Sequence, residues 1–137
     1  MEVQRDRKRI NQPQFIAINR KLNELAGKEQ SGYDRDIIRS IVAEVNAQED
    51  ATKAAQSLYY RTVKEHPFRG ANRRTAALVS NMILLQDKKE LKLPTISETQ
   101  KINQRIRDER IPQAEFNRIM EDEWISKHVS VKKKIKV

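Results

Sequence analysis

The sequence predicts an all-α fold, a single-domain bundle of about six helices around one buried central helix. Only three glycines and four prolines occur in 137 residues, so few positions interrupt a helix. Runs that alternate apolar and polar residues are few, whereas apolar residues at helical spacing recur along the chain. A chain of this length usually forms one domain, and a domain of about 150 residues buries roughly 70% of its unfolded surface. A substantial core is therefore possible.

Each helix follows from its apolar spacing and its end signals. We place the six helices at residues 14–26, 35–47, 50–65, 72–86, 98–110 and 112–127. Asp34 is a suitable N-cap for the second helix, and residues 97–100 fit a capping box for the fifth. The fourth helix is apolar on every side over its later part, residues 76–79 and 82–85, which is typical of a helix buried among others. Residues 91–93 could form a short strand or a turn.

The apolar spacing of each helix predicts an inward face. The first helix should bury four apolar residues, Phe15, Ile18, Leu22 and Leu25. The last should bury Phe116, Ile119, Met120 and Trp124. In the third helix, Tyr59 and Tyr60 are adjacent and cannot share one face, so we expect packing at the rim of the core, with one tyrosine bordering a cleft as the alternative.

Charge divides the chain into a basic arm, residues 1–11, a helical domain, residues 12–128, and a basic tail, residues 129–137. The net charge is +9, of which residues 2–9 contribute +2 and four lysines of the tail contribute +4, Lys132, Lys133, Lys134 and Lys136. The arm is expected to be disordered and the tail to be solvated. A nucleic-acid contact is the alternative for the arm, and a strand paired with a partner is the alternative for the tail.

Several classes of protein are excluded by what the sequence lacks. It has no cysteine, so a disulfide framework or a thiolate metal site is impossible, and a reducing compartment is expected. The N-terminus lacks the apolar segment of a signal peptide, and no run approaches 18 apolar residues. We therefore expect a cytoplasmic protein with no membrane partner. The sequence contains no Walker-type loop, zinc pattern or Ser-His-Asp order, and no metal ligand is assigned.

Residues 66–77 are the candidate functional site, because a basic loop there leads directly into the apolar central helix. The first N–H groups of a helix have no partner within the helix, and the helix dipole favours negative charge at that end. Arg74 is the best candidate for a forked contact with phosphate oxygens, whereas Arg73 adds charge and could face solvent. The pattern predicts an anion site for a phosphate group.

Other residues of this loop have predicted roles of their own. His66 lies just upstream, where a neutral imidazole could act as general base toward a hydroxyl beside the phosphate. Asn72 could cap the central helix or contact a phosphate, and Gly70 permits close approach of the backbone. Phe68 is expected to pack inward and fix the loop. The second histidine, His128, has no such neighbours and is expected on the surface.

The loop resembles the signature of the Fic/Doc family, His-x-Phe-x-acid-small-Asn-x-Arg. It matches at five positions, His66, Phe68, Ala71, Asn72 and Arg74. Residues 71–76 look most like the Doc branch, and residues 66–69 look equally like the Fic branch. The resemblance extends over about residues 15–98, and the two basic ends lie outside it.

Two positions depart from the family pattern. Gly70 stands where the family has an Asp or Glu that helps to hold a magnesium ion, so the resemblance implies Mg²⁺ while its acidic ligand is missing. Ala77 stands where AMP-transferring Fic enzymes carry a second arginine, three residues past the first, and Doc-type members lack that arginine as well. The first departure calls activity into question, and the second favours the Doc branch.

The resemblance implies an all-α Fic/Doc-like domain that uses ATP to modify a hydroxyl group of a target protein. Doc-type members transfer a phosphoryl group to a threonine of a translation elongation factor and act as toxins neutralised by a small antitoxin, and this is the function that we favour. The alternatives are Fic-type AMP transfer, or a non-catalytic descendant that binds nucleotide or, through its basic ends, nucleic acid. The family can also carry a flap that clamps the target backbone, for which residues 32–35 are the candidates.

Overall fold

The computed structural model describes residues 9–28 and 32–126. In that part of the chain six α-helices follow one another, α1 Gln12–Leu25, α2 Arg35–Ala47, α3 Ala51–Glu65, α4 Asn72–Leu85, α5 Ile96–Arg107 and α6 Gln113–Ile119. A π-helical turn, Met120–Trp124, continues α6. Two short strands, β1 Glu90–Leu91 and β2 Ile125–Ser126, pair antiparallel. The predicted all-α bundle of about six helices is confirmed.

The centre of the bundle is the contact between α3 and α4. Small residues of the two helices, Ala54, Ala55 and Ala76, are fully buried there and allow a close approach. The Ser80 hydroxyl crosses the contact and donates a hydrogen bond to the Ala55 carbonyl oxygen at 3.1 Å. The expected burial of α4 on every side is wrong for one stripe, because Leu78, Met82 and Leu85 are 38–46% exposed. The neighbours α1, α3 and β1 pack on its other sides.

The predicted bounds are right for α2 but miss the true N-caps of α1 and α5. α2 has the predicted bounds and the predicted cap, Asp34. α1 begins two residues earlier than predicted, because Asn11 caps it by accepting a hydrogen bond from the N–H of Gln14 at 2.8 Å. α5 begins two residues earlier and ends three residues earlier than predicted. Its cap is Thr95, which accepts from the N–H of Glu98 at 3.1 Å, rather than a residue of the predicted box.

The last helix is shorter than predicted. Instead of continuing to residue 127, α6 ends at Ile119, widens into the π-helical turn and becomes extended as β2. The Trp124 indole packs edge-on against Phe116 and Tyr59, with ring centroids 5.5 and 5.4 Å apart. This anchoring, together with the pairing of β2 with β1, ends the helix. Phe116, Met120 and Trp124 are buried as predicted, and Ile119 is partly buried.

Both tyrosines of α3 are buried, which is deeper than the predicted packing at the rim. The Tyr60 hydroxyl donates a hydrogen bond to the Ile111 carbonyl oxygen at 2.6 Å. The Tyr59 hydroxyl donates to Asn103 Oδ1 at 2.8 Å. Tyr59 also lines the cavity at the head of α4, so the alternative that one tyrosine borders a cleft is confirmed.

The predictions for the two ends fall largely outside the described residues. Residues 1–8, 29–31 and 127–137 are not described, so the roles of the basic arm, of His128 and of the tail stay predictions, as does the division into arm, domain and tail. Within the part of the chain that is described, no helix is both long and apolar enough to cross a membrane.

Candidate functional site

The loop between α3 and α4 turns the chain with two residues in the left-handed backbone region. His66 ends α3 at φ 56° and ψ 57°, and its N–H donates to the Thr62 carbonyl oxygen at 3.1 Å. Ala71 precedes α4 at φ 60° and ψ 28°. Neither residue is a glycine, and this conformation costs roughly 1–2 kcal/mol per residue. Surrounding contacts must therefore hold the loop in place.

Asn72 clamps this loop. Its Nδ2 donates to the Phe68 carbonyl oxygen at 2.7 Å, and its Oδ1 accepts from the Phe68 N–H at 3.0 Å. The predicted role of Asn72 as helix cap is wrong, because Ala71 occupies the cap position. Since alanine has no polar side chain, the first N–H groups of α4 have no side-chain cap and remain open to an anion. A phosphate contact of Asn72 itself stays a prediction, which its two existing hydrogen bonds disfavour.

Phe68 anchors the loop, as predicted. The residue is 2% exposed, and its ring packs edge-on against Phe15 of α1, with centroids 5.2 Å apart. The segment before α2 runs antiparallel beside Phe68, and Tyr33 forms a β-bridge with Phe68. The N–H of Arg69 donates to the Gly32 carbonyl oxygen at 3.1 Å. Residues 32–35, the candidate flap, therefore lie directly against the loop.

Two buried asparagines of α1, neither of them a predicted site residue, also support the loop. Asn19 Nδ2 donates to the Gly70 carbonyl oxygen at 2.8 Å and to the Thr75 hydroxyl oxygen at 3.1 Å. Asn23 Nδ2 donates to the carbonyl oxygen and to Oδ1 of Asn19, both at 3.1 Å. We call these two residues the α1 amide pair.

The α1 amide pair replaces part of the predicted inward face of α1. Leu25, predicted to point inward, is 73% exposed, whereas Asn19 and Asn23 are 2% and 1% exposed. Phe15, Asn19 and Asn23 recur every four residues, which places them on one side of a helix. That spacing was the only sequence signal for the pair, and an asparagine would ordinarily be assigned to solvent.

A cavity of about 590 Å³ opens at the head of α4, within the roughly 300–1,000 Å³ typical of small-molecule sites. Four basic residues form what we call its cationic lining, Lys28, Arg69, Arg73 and Arg74. Apolar and uncharged residues from α5 and the segment before it form its neutral lining, Leu93, Pro94, Ile96, Thr99, Gln100 and Asn103. His66, Gly70 and Asn72 line the cavity too. The structure thus brings together every predicted site residue except the anchor Phe68.

The electrostatics of the cavity favour an anion and a neutral histidine. No Asp or Glu is found in the lining, as far as the described residues show. Partial burial, and then the charges of Arg107 and Arg73, lower the pKa of His66 from its ordinary 6.5. The imidazole is therefore in its base form at pH 7. Burial raises the pKa of Tyr59 to about 12, so its hydroxyl stays a neutral hydrogen-bond donor.

Gly70 leaves little room for the acidic residue of the family pattern. A Cβ at this position would lie 3.0 Å from Asn23 Oδ1, and that oxygen is buried without a hydrogen-bond partner. Among the described residues there is also no cluster of three His, Cys, Asp or Glu side chains that could hold a metal. The residues present therefore do not fit the magnesium ion that the resemblance implies.

The fold and the site define a class of protein, a helical domain with a cationic cavity at the N-terminus of a central helix that lacks a side-chain cap. The model of the Fic/DOC family matches residues 9–84, and the chain belongs to this family, whose domain fits the class of nucleotide transferases. The predicted resemblance is confirmed, although the match begins and ends earlier than residues 15–98. No curated protein matches the chain. The neutral lining lies beyond the matched region.

Proposed function

We propose that this protein is an ATP-dependent transferase that places a phosphoryl group on a Ser or Thr hydroxyl of a target protein. The observation that supports the proposal is the position of His66 and Arg74 in one cavity, at a helix N-terminus without a side-chain cap. Open N–H groups and a forked guanidinium both suit phosphate oxygens. The cavity is also of a size that accommodates a nucleotide.

His66 is the proposed general base of this reaction. Because its pKa is lowered, the imidazole is neutral at pH 7 and can accept the proton of the attacking hydroxyl. The hydroxyl oxygen forms a bond to the γ-phosphorus, the bond from that phosphorus to the β–γ bridging oxygen breaks, and ADP leaves with the electron pair. The cationic lining stabilises the charge on the phosphate oxygens during the transfer.

Ala77 supports transfer of the γ-phosphoryl group over transfer of AMP. It lines the cavity at the position where AMP-transferring members of the family carry a second arginine, and alanine supplies no guanidinium there. In AMP transfer the hydroxyl attacks the α-phosphorus and pyrophosphate leaves. That reaction is the alternative within the same cavity.

The target and the biological role follow from the Doc-like interpretation. The target would be a translation-related protein, with an elongation factor as the candidate, and the protein would act as a toxin held inactive by a small antitoxin. Residues 32–35 are the proposed flap for the target backbone. Their pairing with Phe68, two residues after His66, supports this role.

Labelled ATP distinguishes the two transfers. The protein is incubated with cell extract and ATP labelled on either the γ-phosphate or the α-phosphate. We expect a labelled protein band from γ-labelled ATP alone, and no band when the His66→Ala variant replaces the protein. Labelling from α-labelled ATP would favour AMP transfer, and labelling from neither would contradict both transfers.

A nucleotide-binding protein without transferase activity is the second candidate. The lack of any carboxylate in the described cavity lining favours it, and it predicts ATP binding with no transfer of either label. Restoring the acid by Gly70→Asp alone is not a clean test of lost activity, because the new Cβ would press on Asn23 Oδ1 at 3.0 Å. A useful test must change both Gly70 and Asn23.

A further inference from the structure

Side chains and backbone N–H groups supply the positive charge of this cavity. The cationic lining has no Asp or Glu beside it in the described part of the cavity. Sites that bind phosphates together with Mg²⁺ use carboxylates to hold the ion. Here the guanidinium groups and the uncapped N–H groups of α4 can neutralise phosphate oxygens directly.

The space beside Gly70, where a carboxylate would begin, is occupied from another helix. Asn23 Oδ1 lies 3.0 Å from the position of a Cβ on residue 70. This oxygen is buried and unpartnered, so it would repel a carboxylate as well as crowd it. Asn19 in turn binds the Gly70 carbonyl oxygen at 2.8 Å. Gly70 and the α1 amide pair therefore form a fitted unit, in which a side chain at residue 70 would force Asn23 to shift.

From these two observations we infer that the site binds the free polyphosphate of a nucleoside triphosphate, and that Mg²⁺ weakens this binding. The inference rests on the proposed function, because it takes the ligand to be a nucleotide, and it specifies the ionic form that binds. A magnesium ion reduces the negative charge of the triphosphate. Since the described lining offers the ion no carboxylate, the loss of attraction to Lys28, Arg73 and Arg74 is not compensated.

Calorimetric titration of the full chain tests this inference. ATP is titrated once in EDTA and once in excess MgCl₂, with the ionic strength held equal because salt screens exposed charges. We expect binding in EDTA to be tighter by roughly tenfold. Inorganic tripolyphosphate should show the same preference, because the recognised part is the phosphate chain.

The outcomes separate the inference from the proposed function. Equal affinity in the two buffers, or tighter binding with Mg²⁺, would overturn the inference and leave nucleotide binding intact. If ATP does not bind in either buffer, both the inference and the proposed function are wrong.

A pair of arginine variants shows whether the cavity is the site of binding. Arg74→Gln removes one cation of the lining and should weaken ATP binding in EDTA by about tenfold or more. Arg39→Gln removes the same charge from an exposed position on α2, where the arginine pairs with Asp36 at 3.3 Å, and should leave the affinity unchanged. Equal losses in the two variants would mean that only net charge matters, which overturns the inference.

A double substitution tests the fitted unit. Gly70→Asp combined with Asn23→Ala adds a carboxylate and removes the atoms that crowd it, so Mg²⁺ should now strengthen ATP binding. Asn23→Ala alone is the matched control and should keep the preference for free ATP. A folded double variant, checked by circular dichroism, that still prefers free ATP would overturn the role of the unit. If it does not fold, the comparison of buffers with the unaltered chain still decides the inference.

Discussion

The cationic lining and the neutral lining of the cavity differ in origin as well as in charge. The cationic lining belongs to the loop, the start of α4 and the turn after α1, all within residues 9–84 that match the family model. The neutral lining lies at residues 93–103, beyond the match, and is tied to the core by the hydrogen bond between Tyr59 and Asn103. Under the proposed function, the phosphate chain and the uncharged part of the nucleotide would contact separate parts of the molecule.

The largest expected effect is a loss of phosphoryl transfer without a loss of ATP affinity. His66→Ala should reduce phosphoryl transfer by about 10²–10⁴-fold, the usual contribution of a general base, while ATP affinity changes little. Transfer is measured with γ-labelled ATP and binding by calorimetry. His128→Ala, which removes the other histidine, is the matched control and should keep full activity. Equal activity of the two variants would exclude His66 as the base.

The next effect concerns the clamp that shapes the cationic lining. Asn72→Ala removes two hydrogen bonds and leaves the buried N–H and carbonyl oxygen of Phe68 unpaired, so the free energy of unfolding should fall by about 2–4 kcal/mol. ATP affinity should fall with it, because the loop loses its shape. Urea denaturation and calorimetry measure the two quantities.

Asn46 provides a matched control for that prediction. Its side chain makes the same pair of hydrogen bonds to one backbone residue, accepting from the Ile10 N–H at 3.1 Å and donating to the Ile10 carbonyl oxygen at 2.8 Å. Asn46→Ala should therefore reduce stability without reducing ATP affinity. If both variants lose affinity alike, the clamp at Asn72 has no special relation to the cavity.

The same two sides of the cavity differ in how far the sequence predicts them. His66, Arg73 and Arg74 were predictable, because they lie in one run that leads into an apolar helix. Lys28 joins the cationic lining from the turn after α1 and had no such signal. The N-cap of α4 was not predictable. Asparagine is a good N-cap in isolation, but here the side-chain amide of Asn72 binds the backbone of Phe68, four residues earlier. Local preference cannot decide between the two partners when the loop shape is unknown.

Long-range packing explains the other differences. Asn19 of the α1 amide pair binds Gly70, which lies 51 residues further along the chain. The spacing of residues on α1 alone does not reveal what a buried asparagine will contact. Trp124 similarly ends the last helix because its ring enters the cluster with Tyr59 and Phe116. The neutral lining had no sequence signal, since uncharged side chains on a thinly apolar helix are ordinarily solvent-facing.

A smaller effect is expected from the neutral lining. Ile96 is 77% exposed and lines the cavity, so Ile96→Ala should lower ATP affinity by about three- to tenfold through lost apolar contact with the nucleoside. Tripolyphosphate, which has no nucleoside, should bind as before. Leu25→Ala changes a residue of similar exposure outside the cavity and should affect neither ligand. A loss of tripolyphosphate affinity in Ile96→Ala would break the division between the two linings.

The smallest expected effect is a change in the pKa of His66 caused by a residue of α5. Arg107, the last residue of α5, donates a hydrogen bond to the Lys64 carbonyl oxygen at 3.3 Å, and its charge helps to lower the pKa of His66. Arg107→Gln should therefore raise that pKa toward 6.5, because one charge opposing protonation is removed. Phosphoryl transfer, which needs the neutral imidazole, should then begin to fail at a higher pH as the solution is acidified.

An NMR titration of the imidazole signals measures this shift, with His66→Ala identifying which signal belongs to His66. Arg105→Gln is the matched control, because Arg105 lies on the same helix but pairs with Glu115 at 3.9 Å, and the His66 pKa should stay where it is. If Arg107→Gln also leaves the pKa unchanged, burial and Arg73 alone set it. In that case the pKa of His66 would not depend on α5, the helix that carries part of the neutral lining.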